Sequence, residues 1–175
     1  VEPGVTLTLD PGVEVRFAAG DARAGGFSAE KSELLVYGEL VVEASSGAPA
    51  RLRSPDTSWL GVLVLDGGSA SIEEDVATGR LLVEDADLGV VRARLPVGIT
   101  RWSGTRRVPW DLTIPAGARL VVEGGTQVAF APVDLSASGR HPELTELIVE
   151  GELIIDGLMS PVALQVDSRR SDDLW

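Results

Sequence analysis

Cysteine and asparagine are absent from the 175 residues, and lysine and histidine occur once each, as Lys31 and His141. Without a thiol there is no disulfide framework, no thiolate metal site and no cysteine nucleophile. A single histidine removes most histidine-based chemistry as well. Aromatic residues make up only 5% of the chain, no apolar run reaches the roughly 18 residues of a membrane-spanning helix, and no charged-then-apolar leader opens the sequence. Basic residues are scarce too: 15 Lys and Arg stand against 27 Asp and Glu, a formal charge of −12. Phosphate neutralisation needs a basic face, so no nucleic-acid partner is expected. Lys31 leaves arginine as almost the whole cation complement, which high-GC coding explains, with a salt-rich habitat as the alternative. The chain opens on Val1 rather than Met, as expected of a processed product or a piece of something longer.

What is present is a folded composition: 44% hydrophobic residues with 20 Gly and 10 Pro. One domain over residues 1–175 is expected, and an internal repeat organises it. At an offset of 113 positions, Val5-Thr-Leu-Thr-Leu-Asp-Pro-Gly-Val-Glu-Val-Arg-Phe17 lies over Ala118-Arg-Leu-Val-Val-Glu-Gly-Gly-Thr-Gln-Val-Ala-Phe130. At the same offset Glu33 to Leu40 lies over Glu146 to Leu153, and Gly4, Asp21, Gly26 and Glu30 meet Gly117, Asp134, Gly139 and Glu143. Further on the offset drifts by a few residues, bringing Trp59 near Trp175. The expected units are residues 1–100 and 101–175, the second truncated. Both ends fall in mid-pattern, so a longer repetitive protein or flanking segments are expected.

Within each unit the polarity alternates with period two, the strand value. Val5, Leu7 and Leu9 alternate with Thr6 and Thr8, and Val13, Val15 and Phe17 with Glu14 and Arg16. Asp10-Pro11-Gly12 and Glu123-Gly124-Gly125 supply turns at matching places. Further strands are expected at 34–37, 40–43, 50–53, 60–65, 80–84, 88–94, 147–149, 152–156 and 162–166, and no segment sustains a helical stripe. The chain therefore reads as all-β. Hairpin sandwiches favour Asn-Gly or Asp-Gly turns, whereas here glycine recurs beside strands of nearly constant apolar register, at Gly12, Gly38, Gly61, Gly125 and Gly151. That suits a right-handed parallel β-helix, a β-solenoid whose coils of about 20 to 25 residues each carry three short strands. Coils about 4.8 Å apart would give about seven of them in a rod some 35 Å long.

The wording of Thr113-Ile-Pro-Ala-Gly-Ala-Arg-Leu-Val-Val122, of Gly125 to Phe130, of Leu147 to Leu153 and of Ser58-Trp-Leu-Gly-Val62 resembles repeats of secreted bacterial right-handed β-helix proteins of the pectin-lyase-like superfamily. The resemblance covers nearly the whole chain and implies the fold. It implies no single activity, because that superfamily includes lyases, hydrolases, adhesins and inert spacers. None of its catalytic motifs is matched, so no catalytic residue is carried over.

Candidate sites follow from local departures in composition. Residues 101–110 hold three arginines and two tryptophans with no acid among them. Trp102 and Trp110 are suited to stack on sugar faces and Arg106 and Arg107 to grip carboxylates; the alternative is a junction loop with its rings packed inward. The long loops 18–32 and 131–145, which hold Lys31 and His141, form either a binding surface or a cover over the coil stack. Glu73-Glu74-Asp75 and Glu84-Asp85-Ala86-Asp87 lack the glycine-spaced alternation of a calcium loop and read as solvated turns, with calcium binding as the alternative. Glycoside cleavage needs two carboxylates about 5 to 9.5 Å apart. Asp172 and Asp173 would point to opposite faces, and Glu39 and Glu43 would stand about 13 Å apart along a strand. No cofactor and no metal ligand set is expected. The leading expectation is a non-catalytic structural or adhesive module of a secreted or cell-surface bacterial protein, contacting neighbouring domains of a longer chain and, secondarily, associating end to end. The alternative is a carbohydrate-binding or polysaccharide-processing protein.

Overall fold

The computed structural model of the protein describes residues 1–18, 20, 26–28, 30–44, 48–54, 58–73, 82–132, 134 and 140–166. All regular structure among them is β, in sixteen short strands. The chain divides into two compact units, Val1–Val91 and Arg92–Leu174.

In the first unit the strands are β1 (Thr6–Leu9), β2 (Glu14–Arg16), β3 (Glu33–Val36), β4 (Glu39–Val42), β5 (Arg51–Arg53), β6 (Gly61–Val64), β7 (Ser69–Ile72) and β8 (Val90–Arg92). None pairs with its immediate neighbour in sequence. The sheets run β1-β4-β7, β2-β5 and β3-β6-β8, and every pairing whose register is defined is parallel. Single bridges from Leu52 to Val83 and from Trp59 to Ala86 extend the pattern where residues 82–87 form no full strand. Thr6 pairs with Glu39 and Glu39 with Ser69, so the chain returns to the same sheet after 33 and then 30 residues. Both circuits exceed the 20 to 25 residues expected, and the first does so because the long loop after β2 lies inside it.

Period-two alternation sorts each sheet into an inward and an outward side. Leu40 and Val42 are fully buried, beneath Leu7 and Leu9 on one side and Ala70 and Ile72 on the other, while Thr6, Thr8, Glu39, Ser69 and Ser71 are exposed. Val36, Leu52, Val62 and Val64 join them in one apolar core. Trp59 is buried with this core, stacks on Phe17 at 3.8 Å between ring centroids, and donates its indole N–H to Glu84 O at 2.7 Å. That bond satisfies the polar atom of an otherwise apolar core residue.

The second unit contains β9 (Gly98–Trp102), β10 (Thr105–Val108), β11 (Leu112–Ile114), β12 (Ala118–Val122), β13 (Gln127–Phe130), β14 (Leu147–Val149), β15 (Glu152–Ile155) and β16 (Ala163–Val166). Its sheets are β9-β12-β15, β10-β13-β16 and β11-β14, again parallel. Gly98 pairs with Ala118, a circuit of 20 residues, and Arg119 with Glu152, a circuit of 33 that contains the loop after β13. Leu112, Ile114, Leu120, Val122 and Val128 form its core. Residues 98–108 are two strands joined at Gly104, which adopts a φ of 69°, and are not a junction loop. Of the expected strand at 80–84, residues 80 and 81 lie outside the described residues, and Leu82 to Glu84 contribute only a bridge at Val83.

Corresponding strands of the two units repeat their hydrogen-bonding geometry. Thr6 pairs with Glu39 and Leu9 with Val42; Arg119 pairs with Glu152 and Val122 with Ile155, the same register 113 positions later. Val5 N–H donates to Glu2 O at 3.1 Å and Ala118 N–H to Pro115 O at 2.9 Å. Gly38 N–H donates to Val1 O and Gly151 N–H to Ile114 O. A Cβ at Gly38 would lie closer than 3.0 Å to the carbonyl oxygens of Glu2 and Val5, and one at Gly151 would do the same to those of Pro115 and Ala118. Glycine is required at both places by the approach of the preceding turn.

Candidate functional site

The arginine and tryptophan cluster expected at residues 101–110 occupies β9, β10 and the residues just after them. Trp102 shares a row with Val122 and Ile155, an inward row of the second unit, and is half-buried against its core. Arg106 stands in register with Val128, a core residue, and is exposed at the edge of its sheet. Trp110 is fully buried and offers no ring face to solvent. Arg107, beside Ala129 and Gln165, is the member of the four on an outward row. Alternation along β10 therefore separates the two arginines, and the cluster contiguous in sequence does not form one outward surface.

The long loops are tied to the strands that follow them by matching carboxylates. Glu33, at the start of β3, accepts from Phe27 N–H and from Ser28 N–H at 3.2 Å; Glu146, 113 positions on, accepts from Arg140 N–H at 2.6 Å and His141 N–H at 3.3 Å. Asp111, buried, accepts from Glu146 N–H at 2.7 Å. In the first loop the buried Ser28 hydroxyl accepts from Glu30 and Lys31 N–H, and Ser32 Oγ donates to the carbonyls of Ala18 and Gly20. Lys31 Nζ donates to Ser58 Oγ at 3.1 Å and pairs with Asp87, linking the loop to two later segments of the first unit. Glu30 and Glu143 are exposed and Asp134 is buried; Asp21 and Gly139 lie outside the described residues.

The acidic segments are also engaged in structure. Glu73 Oε2 accepts from Ala44 N–H at 2.6 Å, Glu84 pairs with Arg51, and Asp87 pairs with Lys31. Glu74, Asp75, Asp172, Asp173 and Trp175 lie outside the described residues. Among the described residues no three carboxylates or imidazoles gather as a metal ligand set, and no helix is long and apolar enough to cross a membrane. On the outer side of β2 and β5, Glu14 accepts from Arg16 and from Arg53 at 3.0 Å, and these hydrogen bonds hold its carboxyl below its ordinary pKa. Burial pushes the Arg92 guanidinium down, because desolvation disfavours its charged form.

Sequence reasoning missed a groove of about 500 Å³ in the first unit, at the corner where the chain enters β1, β4 and β7. Thr6, Tyr37, Glu39, Asp66 and Ser69 supply its polar and aromatic side chains, Pro3 and Val5 also line it, and Gly4 and Gly67 leave it open beside them. Tyr37, the single tyrosine, is 40% exposed. A Cβ at Gly4 or Gly67 would meet nothing within 4 Å, so the floor is open beside the ring. The available sequence signal was a mismatch inside the repeat: the Tyr37 position is Glu150 in the second unit.

Compared with known protein families, curated proteins and solved structures, the chain matches none.

Proposed function

We propose that the two units are stretches of right-handed parallel β-solenoid related by an internal duplication, and that they form a non-catalytic structural or adhesive module of a secreted or cell-surface bacterial protein of the pectin-lyase-like type. The observation that carries this reading is the repeated register, Thr6 on Glu39 and Arg119 on Glu152, with the same glycine at the same close approach in each unit. Parallel strands joined by crossovers are right-handed in about 98% of cases, which supports the right hand. Each circuit adds a layer of ladder hydrogen bonds and a layer of inward Leu, Val and Ile, so stability grows with stacking and not with a specialised centre. The outward charges support the same role. Pairs such as Arg119 with Glu152 at 2.6 Å and Arg53 with Glu14 at 3.0 Å connect successive layers, and the remaining acids keep the surface hydrated.

Inward rows that end in exposed residues favour a secondary role in association. Leu7 at 36%, and Ile155 at 47%, Leu164 at 44% and Val166 at 65%, continue the rows of buried Leu40, Val122, Val128 and half-buried Phe130. Such edges invite a further layer, from a neighbouring domain or a second copy. Two measurements test the module. Trypsin should leave Arg51, Arg53 and Arg119 uncut under native conditions, and incubation with acidic and neutral polysaccharides should release no reducing ends or unsaturated products. Rapid cleavage at those strand arginines would count against the stacked fold, and enzyme-dependent release of sugar products would count against a non-catalytic role.

A further inference from the structure

The groove beside Tyr37 is the feature that a purely structural role does not use. Three observations give it a chemistry. Its wall carries a half-exposed aromatic ring, two carboxylates at Glu39 and Asp66, and two hydroxyls at Thr6 and Ser69, and among the described residues no Lys, Arg or His lines it. An aromatic face takes the apolar side of a pyranose ring, carboxylates and hydroxyls accept and donate to its polar edge, and two acids without a basic neighbour favour a cation over a neutral or anionic ligand. The volume of about 500 Å³ lies within the range of small-ligand sites.

The third observation is an internal comparison. The second unit repeats the two segments around Gly4 and Gly38 on a matching backbone, with Gly117 at a φ of 82° where Gly4 has 76° and with Gly151 where Gly38 stands, although Gly117 faces Val97 and the segment of Asp66 and Ser69 has no equivalent at this offset. Two of the compared side chains differ, while Glu39 is kept as Glu152. Glu150 replaces Tyr37, and Arg119 replaces Thr6 and neutralises Glu152 at 2.6 Å, whereas Thr6 Oγ1 donates to Glu39 Oε2 at 2.9 Å and leaves its charge in place. Solenoid stacking therefore does not demand Tyr37 or an unneutralised acid at Glu39. We infer that the groove formed by Thr6, Tyr37, Glu39, Asp66 and Ser69 binds an amino sugar carrying a free ammonium group, with the pyranose face on Tyr37 and the ammonium between Glu39 and Asp66.

Titration calorimetry with a glucosamine tetramer tests this, with the N-acetylglucosamine tetramer and cellotetraose as neutral comparisons. Saturable binding of the glucosamine tetramer alone is expected. Tyr37→Ala and Asp66→Asn should each weaken it at least tenfold, and Tyr37→Phe should retain it. Asp156→Asn, an equal charge change outside the groove, separates site binding from attraction between an acidic protein and a cationic chain. No saturable binding, equal binding of either neutral tetramer, or a loss with Asp156→Asn as large as with Asp66→Asn would each overturn the inference. Tyr37 and Asp66 are exposed, and an unchanged melting temperature would show that their variants are folded.

Discussion

Replacing Gly38 or Gly151 by alanine gives the sharpest mutational test of the stacked backbone. The added Cβ at Gly38 would overlap the carbonyl oxygens of Glu2 and Val5, neither of which can swing aside as a flexible side chain would. Both oxygens are in use: Glu2 O accepts from Val5 N–H at 3.1 Å, and Val5 O from Glu39 N–H at 2.9 Å. Displacing them sacrifices up to two backbone hydrogen bonds, about 1 kcal/mol each, and adds an overpacking cost of about 1 to 3 kcal/mol. The expected loss is about 3 to 5 kcal/mol, a fall in melting temperature of about 6 to 20 °C at about 2 to 4 °C per kcal/mol. Gly151 meets Pro115 O and Ala118 O in the same way, so Gly151→Ala should cost the same. Gly67→Ala is the comparison: its Cβ meets nothing within 4 Å, and only the φ of 84° opposes it, at about 1 to 2 kcal/mol. Thermal and urea denaturation followed by far-ultraviolet circular dichroism supply the numbers. Losses below about 1 kcal/mol for Gly38→Ala and Gly151→Ala, or a larger loss for Gly67→Ala, would refute the close approach.

Other consequences are equally specific. Trp59→Ala removes a fully buried ring, its stack on Phe17 and its bond to Glu84 O, and should cost about 3 to 5 kcal/mol in urea titrations; a change under 1 kcal/mol would show that the ring is not in the core. The depressed Glu14 pKa means that its contribution is present above the ordinary value of 4.5 and is lost as pH falls through the folded value. Carboxyl-resolved NMR titration should place Glu14 below 4.5 in the native protein and higher in Arg16→Gln, and an identical titration in the two proteins would contradict the pairing. Lys31→Met should free the first long loop, raising its rate of proteolytic nicking several-fold with a global cost of at most about 1 kcal/mol, as for other exposed ion pairs. Unaltered nicking would mean that Lys31 does not pin it.

Much of the fold was legible because the repeat and the period-two alternation act locally. Residues such as Leu7, Leu40 and Leu120 announce an inward row whatever lies around them, and the shared offset aligned β1, β2, β3 and β4 with β12, β13, β14 and β15. β9 and β10 were not legible, because Thr100 and Arg106 put polar groups on inward register positions at a sheet edge and so break the alternation. At the same edge, proximity in sequence suggested that Trp102, Arg106, Arg107 and Trp110 act together, and alternation and burial distribute them over inward and outward positions. The Tyr37 groove was invisible for the converse reason. Its walls come from residues 3–6, 37–39 and 66–69, which only parallel stacking brings side by side.

Disulfide trapping tests the parallel pairing and the proposed duplication most directly, because the chain has no cysteine of its own. Thr8 lies beside Val41 and, 113 positions on, Val121 beside Ile154, both on outward rows. Adjacent strands lie about 4.8 Å apart, inside the Cα separation of about 4.4 to 6.8 Å that a disulfide spans. Paired substitutions Thr8→Cys with Val41→Cys, and Val121→Cys with Ile154→Cys, should both cross-link under mild oxidation, while Thr8→Cys with Val42→Cys, which places the thiols on opposite faces, should not. Equal cross-linking of the off-register pair, or failure of either in-register pair in a folded protein, would contradict the parallel register and the proposed duplication.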